Sequence, residues 1–413
     1  MTQAPRRLPA EWLDEAPLGS LLAVLDSAGE EARVVGGAVR NALLGLPLGD
    51  IDIATTALPA EVMRRAQAAG FKAVATGIEH GTVTVVAGQR PFEVTTLRED
   101  VETFGRHAKV AFGRDWRRDA ERRDFTLTAL SLSRDSAVHD YVGGLADIDA
   151  RRVRFIGDPA RRIAEDYLRI LRFFRFHAAY GQGAPDPEGL AACIAARVGL
   201  DGLSRERIRM ELMQLLVAGR ATPTLATMAE AGLLEQVLGA VPLIASFANL
   251  VKLESKLAIM PDAVRRLAAL AVSVSEDAER LRERLRLANA EHEQLMSMAE
   301  RWWSISAETS EHAARELLYR LGRERFLDRV LLAWSRSLDA VTHEGWRALA
   351  TLPQRWSVPA FPLKAADLLA RGVAKGPRLG AALAAAEDAW IAADFPLDSA
   401  AVNAIADAVA RVE

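Results

Sequence analysis

Hydrophobic and polar positions change rhythm near residue 150. Before it, short apolar runs are punctuated by glycine. Arg33–Val35 is a β-prone run that ends at Gly36-Gly37, and Ala38–Leu44 reads as the start of a helix. Ile51–Ala54 reads as a strand and Leu58–Ala69 as a helix closed by Gly70. Phe71–Ala75, Thr82–Val86 and Phe92–Thr96 are three further strand candidates. Arg98–Asp124 is dense in both charges, poor in aliphatics and carries Gly105 and Gly113. That pattern predicts a long mobile loop, a feature uncommon in compact domains unless it is functional.

After residue 150 the strand signals fade. Ala160–Tyr180 reads as one long amphipathic helical segment. Ser204 is the expected N-cap of a helix over Glu206–Val217, with Arg207 at the N3 position where a capping box has Glu. The remainder is helical pattern broken by Pro223, Pro242, Pro261, Pro353, Pro362 and Pro377. The pattern therefore predicts an α+β fold, a mixed sheet with helices followed by an all-helical remainder.

Composition narrows the function classes. The 413 residues are 50% hydrophobic and 26% charged, with a net charge of -3. That is enough apolar material for real cores, and it excludes a uniformly basic coat. Residues 151–220 nevertheless carry thirteen arginines, no lysine and eight acidic residues, a local net charge of +5. The lone Cys193 excludes an internal disulfide and any cysteine-cluster metal site, and it fits a reducing cytosol. The amino terminus shows no apolar h-region and no run of about 18 uncharged apolar residues occurs, so no signal peptide or membrane span is expected and the location read is cytoplasmic.

The chemistry concentrates in three carboxylates and a glycine turn. Within Gly49-Asp50-Ile51-Asp52-Ile53, residues two apart in a strand project to one side, so Asp50 and Asp52 would aim at one point with Ile51 and Ile53 in the core. Two like charges held together call for a cation, and hard Mg²⁺ prefers carboxylate oxygens. An isolated Asp-x-Asp is equally a solvated surface strand. The preceding Gly36-Gly37 alters that balance, because glycine N–H groups beside a helix start approach an anion closely, and Arg40 would add a charge-assisted phosphate contact. Glu93 alternates with Phe92 and Val94. It would supply a third carboxylate if its strand neighbours Ile51–Ala54, and is otherwise an exposed residue on an edge strand.

Other chemistries find no support. There is no GxxxxGK[ST] loop, no Gly-x-Ser-x-Gly elbow, and no second histidine four residues from His292-Glu293. His139-Asp140 lacks the further histidines of a metal phosphohydrolase. The tryptophans 302, 303, 334, 346, 356 and 390 favour core packing over RNA stacking.

Six ordered motifs, GGAVRNALLG (36–45), DIDIAT (50–55), RRDFTLTAL (122–130), DYVGGLADI (140–148), EDYLRILRFFRF (165–176) and LSRERIRMEL (203–212), resemble the class II tRNA nucleotidyltransferase and poly(A) polymerase family, the bacterial CCA-adding enzymes most closely. The resemblance implies a nucleotidyltransferase head (1–150), a helical neck that selects the base (151–220) and a helical body and tail that bind tRNA (221–413). It implies template-independent addition of C, C and A to tRNA from CTP and ATP, with Asp50 and Asp52 on catalytic Mg²⁺. It places Gly36, Gly37 and Arg40 on the triphosphate, Arg123 and Asp124 in ribose and triphosphate recognition, and Glu165, Asp166 and Arg169 in base choice. The loop with GRHAKV (105–110) matches the flexible loop of the switch from C to A. Two positions depart from the family: Asn41 stands where Asp is usual, and Thr128 where Asn is usual.

The side chains themselves rationalise such a protein template. On one helix Asp166 and Arg169 would share a face, with Arg172 a turn further on. Asp only accepts and Arg only donates. Cytosine and adenine each present an amino donor beside a ring-nitrogen acceptor, which suits the pair, whereas uracil and guanine present the reverse. Arg122 and Arg123 are further candidates for charge neutralisation. Rival readings are a poly(A) polymerase, a partial enzyme adding only C or only A, and a noncatalytic RNA-binding protein on the same scaffold, which the intact Asp50/Asp52 pair disfavours.

Overall fold

The computed structural model describes residues 6–104 and 107–411. They divide into two compact units, Met1–Pro242 with Arg284–Arg286, and Leu243–Glu283 with Leu287–Glu413.

The first unit opens with α1 (Leu18–Leu25) and β1 (Ala32–Val35), which ends at the glycine pair. Then come α2 (Gly37–Leu44), β2 (Asp52–Thr55), α3 (Pro59–Ala68), β3 (Lys72–Gly77), β4 (Thr82–Ala87) and β5 (Arg90–Thr96). Next are β6 (Arg98–Phe104), β7 (His107–Phe112), α4 (Trp116–Glu121), β8 (Ser131–Leu132), β9 (Val138–His139) and α5 (Gly144–Asp149). The main sheet has seven strands in the order β3-β4-β5-β2-β1-β8-β9. Only β2 and β5 run parallel, and the other neighbours are antiparallel. Alternation sends Val83, Val85, Phe92 and Val94 into the core beside Val34 and Ile53, all essentially buried.

The expected loop over Arg98–Asp124 is instead a β-hairpin, β6 with β7, followed by α4. A two-stranded ribbon satisfies its backbone by cross-strand pairing, so a charged sequence poor in aliphatics still forms it. Gly105 and Arg106 of the GRHAKV stretch lie outside the described residues.

The single helix expected over Ala160–Tyr180 is also corrected. It is two helices, α6 (Pro159–Glu165) and α7 (Leu168–Tyr180), parted at Asp166 and Tyr167. Asp166 is extended (φ −157°, ψ 107°), and its Oδ1 accepts the Leu168 N–H at 3.1 Å. A short carboxylate that serves an orphan N–H competes with helix continuation, so the residue that ends α6 starts α7. The unit continues through α8 (Pro187–Ala195), a 3₁₀ turn at Arg197–Gly202, and α9 (Arg205–Leu216), which begins after Ser204.

Every described element of the second unit is helical, from Ile244–Lys256 to Ser399–Arg411. Its tryptophans are mainly core: Trp334 stacks on Trp346, and Trp390 packs edge-on against Phe395 and Tyr319. Trp303 is exposed. Among the described residues no helix is long and apolar enough to cross a membrane.

Candidate active site

Register brings the glycine turn to the carboxylates. β1 and β2 pair with Val35 opposite Asp52, so Gly36 emerges beside Asp52. Gly36 holds φ +69° and ψ −123°, a region open essentially to glycine, and caps α2. Two guanidinium groups flank the turn. A Cβ on Gly36 would sit 3.5 Å from Arg123 Nη1, and one on Gly37 would sit 3.6 Å from Arg40 Nη2.

β2 and β5 pair in parallel with Asp52 opposite Glu93. Glu93 therefore lies on an interior strand, not at an edge. Asp50 precedes β2, so strand alternation does not place it as the sequence reading expected. Electrostatics joins it to Asp52 all the same. Burial, then Glu93, pushes the Asp52 carboxyl above the usual range; Arg123 opposes the shift and Asp50 adds to it. Among the described residues no three His, Cys, Asp or Glu side chains close on a metal-sized point. Asp52 and its register partner Glu93 offer oxygen donors only, the type that suits a divalent cation completed by phosphate oxygens.

The arginines beside the turn are built in. Asp119, 4% exposed, accepts from Arg122 at 2.6 Å and from Arg123 at 3.2 Å. Burial raises this carboxyl, but Arg123 and Arg122 more than reverse that, and it lies below the ordinary range. Arg123 also donates to the Thr128 carbonyl at 3.3 Å. Thr128, the second departure, turns its hydroxyl to the Phe125 carbonyl at 2.7 Å. Arg40 is buried. It donates to Asn41 Oδ1 at 3.1 and 2.8 Å and to the Tyr180 hydroxyl at 2.8 Å, with its guanidinium 3.9 Å from the Tyr180 ring centre. Asn41 Nδ2 donates in turn to the Pro47 carbonyl at 2.9 Å. An amide at this position thus accepts as Asp would and donates as Asp cannot.

The other candidates cluster where α6 breaks into α7. Asp124 accepts from Arg169 and Arg172, each at 2.7 Å. Burial raises its carboxyl, and Arg172 and Arg169 bring it below the usual range. Glu165 accepts from Arg169 at 2.6 Å and also pairs with Arg162. Arg162 reaches back to the Arg123 carbonyl at 2.7 Å.

The expected side-chain alignment of Asp166 with Arg169 on one helix is corrected by the break. Arg169 pairs with Asp124 and Glu165, whereas Asp166 Oδ2 accepts from Arg207 of α9 at 2.5 Å. Sequence reasoning missed Asp119, Arg162, Tyr180 and the part played by Arg207. The i,i+3 and i,i+4 spacing of Asp119 to Arg122 and Arg123 was an available signal, whereas the others depend on tertiary packing. His139-Asp140 is structural: Asp140 accepts four backbone N–H groups, from Val142, Gly143, Gly144 and Leu145.

Residues 32–154 match the family model for the poly A polymerase head domain, and 184–247 match that for a probable RNA and SrmB-binding site of polymerase A. The chain is 34% identical to the human mitochondrial CCA tRNA nucleotidyltransferase 1 over 386 residues, 92% of this chain and 87% of that one. It is 33% identical to the CCA-adding enzyme of Limosilactobacillus fermentum over 91% of this chain and 92% of that one. The fold superposes on the Bacillus stearothermophilus CCA-adding enzyme, solved in complex with CTP, with a TM-score of 0.72 at 29% identity, covering 92% and 94% of the two chains.

Proposed function

Because the chain belongs to the class II tRNA nucleotidyltransferase family, we propose that it adds C, C and A to the 3′ end of tRNA from CTP and ATP. The observation that carries this is the register Val35–Asp52–Glu93, which sets the Gly36 turn and Arg123 against the carboxylates at one end of the sheet.

In the proposed reaction the tRNA 3′-hydroxyl attacks the α-phosphorus of the nucleotide. An O–P bond forms, the hydroxyl proton passes to solvent, and the bond to pyrophosphate breaks so that pyrophosphate leaves with its electron pair. The Gly36 N–H is spent on the Leu130 carbonyl at 3.3 Å, so it is the N–H of Gly37, at the start of α2, that would meet the triphosphate. Arg123 and Arg40 neutralise its charge, and Asp119 and Asn41 keep their guanidinium groups aimed. Asp50 and Asp52, with Glu93 beside them, would hold Mg²⁺, which when bound stabilises the charge that develops on the reacting oxygens.

Base choice falls to Asp166 and Arg169. Among the described residues each Asp166 oxygen has one partner, the Leu168 N–H or Arg207, and keeps a second lone pair for an amino group. Arg169 spends Nε and Nη1 on Asp124, Glu165 and the Arg162 carbonyl. Its Nη2 has no hydrogen-bond partner among the described residues and is available to a ring nitrogen. Uracil or guanine would set acceptor against acceptor and donor against donor, leaving buried groups unpaired at about 1–3 kcal/mol each. Arg172 holds the other oxygen of Asp124 and so fixes Arg169. Within the proposal, residues 1–150 are the catalytic head, 151–220 the neck and 221–413 the tRNA-binding body and tail, and the site of action is cytoplasmic.

Extension of a tRNA that lacks its 3′ CCA tests this reading. CTP alone should add two residues, and ATP should then add one. A run of adenylates would instead identify a poly(A) polymerase.

A further inference from the structure

Tyr167 stands at the break between α6 and α7, directly after Asp166. Its neighbours Leu168, Ile170 and Leu171 are buried, but Tyr167 is 37% exposed. The ring is seated against the backbone of Gly199. A Cβ there would lie 1.9 Å from Cδ1, 2.1 Å from Cε1 and 2.3 Å from Cγ, so no side chain is compatible with the ring's position. Tyr167 lines a cavity of about 620 Å³ together with Asp166 and Arg207. Its hydroxyl has no hydrogen-bond partner among the described residues. An aromatic ring held from behind by glycine, exposed in front and adjacent to a polar reader of base edges, has the form of a stacking platform. The cavity is of the size that takes a nucleotide-sized ligand.

We infer that Tyr167, backed by Gly199, is a stacking shelf for a nucleobase whose edge faces Asp166. The inference rests on the function proposed above and adds a contact to the base plane where Asp166 and Arg169 address only its edge. The base is either that of the incoming nucleotide or the last base of the tRNA primer, and kinetics separates the two.

The test measures extension of truncated tRNA by the full chain. Tyr167→Ala is expected to raise KM about 5- to 150-fold, the range of one lost base stack, with a much smaller change in kcat. The rise falls on CTP and ATP if the shelf holds the incoming base, and on the tRNA if it holds the primer end. Tyr167→Phe restores the ring and should recover most of the loss. Tyr167→Leu fills the contact without a π face and should not, and it decides the question if the alanine variant fails to fold. Gly199→Ala displaces the ring and should reproduce the defect, while adding nothing to Tyr167→Ala in the double variant.

Wild-type KM values in Tyr167→Ala and Tyr167→Leu would overturn the shelf, as would a Phe variant as impaired as Leu. Failure of the wild-type protein to add C and A would overturn the proposed function, a different result from either.

Discussion

Arg207 donates to Asp166 Oδ2 at 2.5 Å, across 41 residues of sequence. The contact fixes the direction of the Asp166 side chain, and an acceptor held there distinguishes cytosine and adenine from uracil and guanine. Loss of a charged hydrogen bond is worth about 1.5–3 kcal/mol. Arg207→Ala is therefore expected to reduce the preference for CTP over UTP by about tenfold or more while leaving tRNA affinity within about twofold. Competition between labelled CTP and UTP on a truncated tRNA reads this directly. Unchanged preference would remove Arg207 from base choice.

Asn41 accepts two donors of the buried Arg40. Asn41→Ala strands that guanidinium, at about 1–3 kcal/mol, and should raise KM for CTP about tenfold. Asn41→Asp keeps the acceptor and gives up only the exposed donation to Pro47, so a shift under about 1 kcal/mol is expected. Thermal unfolding and nucleotide titration of the two variants make the comparison. Equal behaviour of Ala and Asp would contradict it.

Asp119 is buried against Arg122 and Arg123, and its carboxyl is held below the ordinary value. A depressed native pKa contributes stability that is complete above the unfolded value near pH 4 and is lost as pH falls through the native one. Asp119→Asn is expected to destabilise the first unit by about 3–5 kcal/mol at pH 7, the usual result of removing one partner from a buried pair. The gap from wild type should narrow steadily on acidification below about pH 4. Urea unfolding across that range measures it, and a gap that widened on acidification would contradict the sign.

The strand-and-glycine head was legible because its signals are local. Gly36 ends β1, Gly70 follows α3, and Thr82–Ala87 alternates, all visible from neighbours in sequence. The pairing of Glu93 with Asp52 was only conditional in the sequence, since strand order is a long-range property. The hairpin over Arg98–Phe112 was missed because a paired ribbon needs no apolar face. The break at Asp166 was missed because the apolar spacing runs on through it. What interrupts the helix is a carboxylate competing for the Leu168 N–H, with Arg207 drawing the same side chain aside. In the sequence Asn41 is only a departure from the usual Asp, and its contacts with Arg40 and Pro47 show that it works as an amide.

The account stands or falls on the carboxylates beside the Gly36 turn. Single-turnover incorporation of labelled CMP into a tRNA lacking CCA, in Mg²⁺, compares wild-type protein with Asp52→Asn. The expected result is incorporation by wild type and a loss of about a thousandfold or more in the variant, with tRNA binding retained. Incorporation by Asp52→Asn at the wild-type rate would contradict the assignment of this site to nucleotidyl transfer.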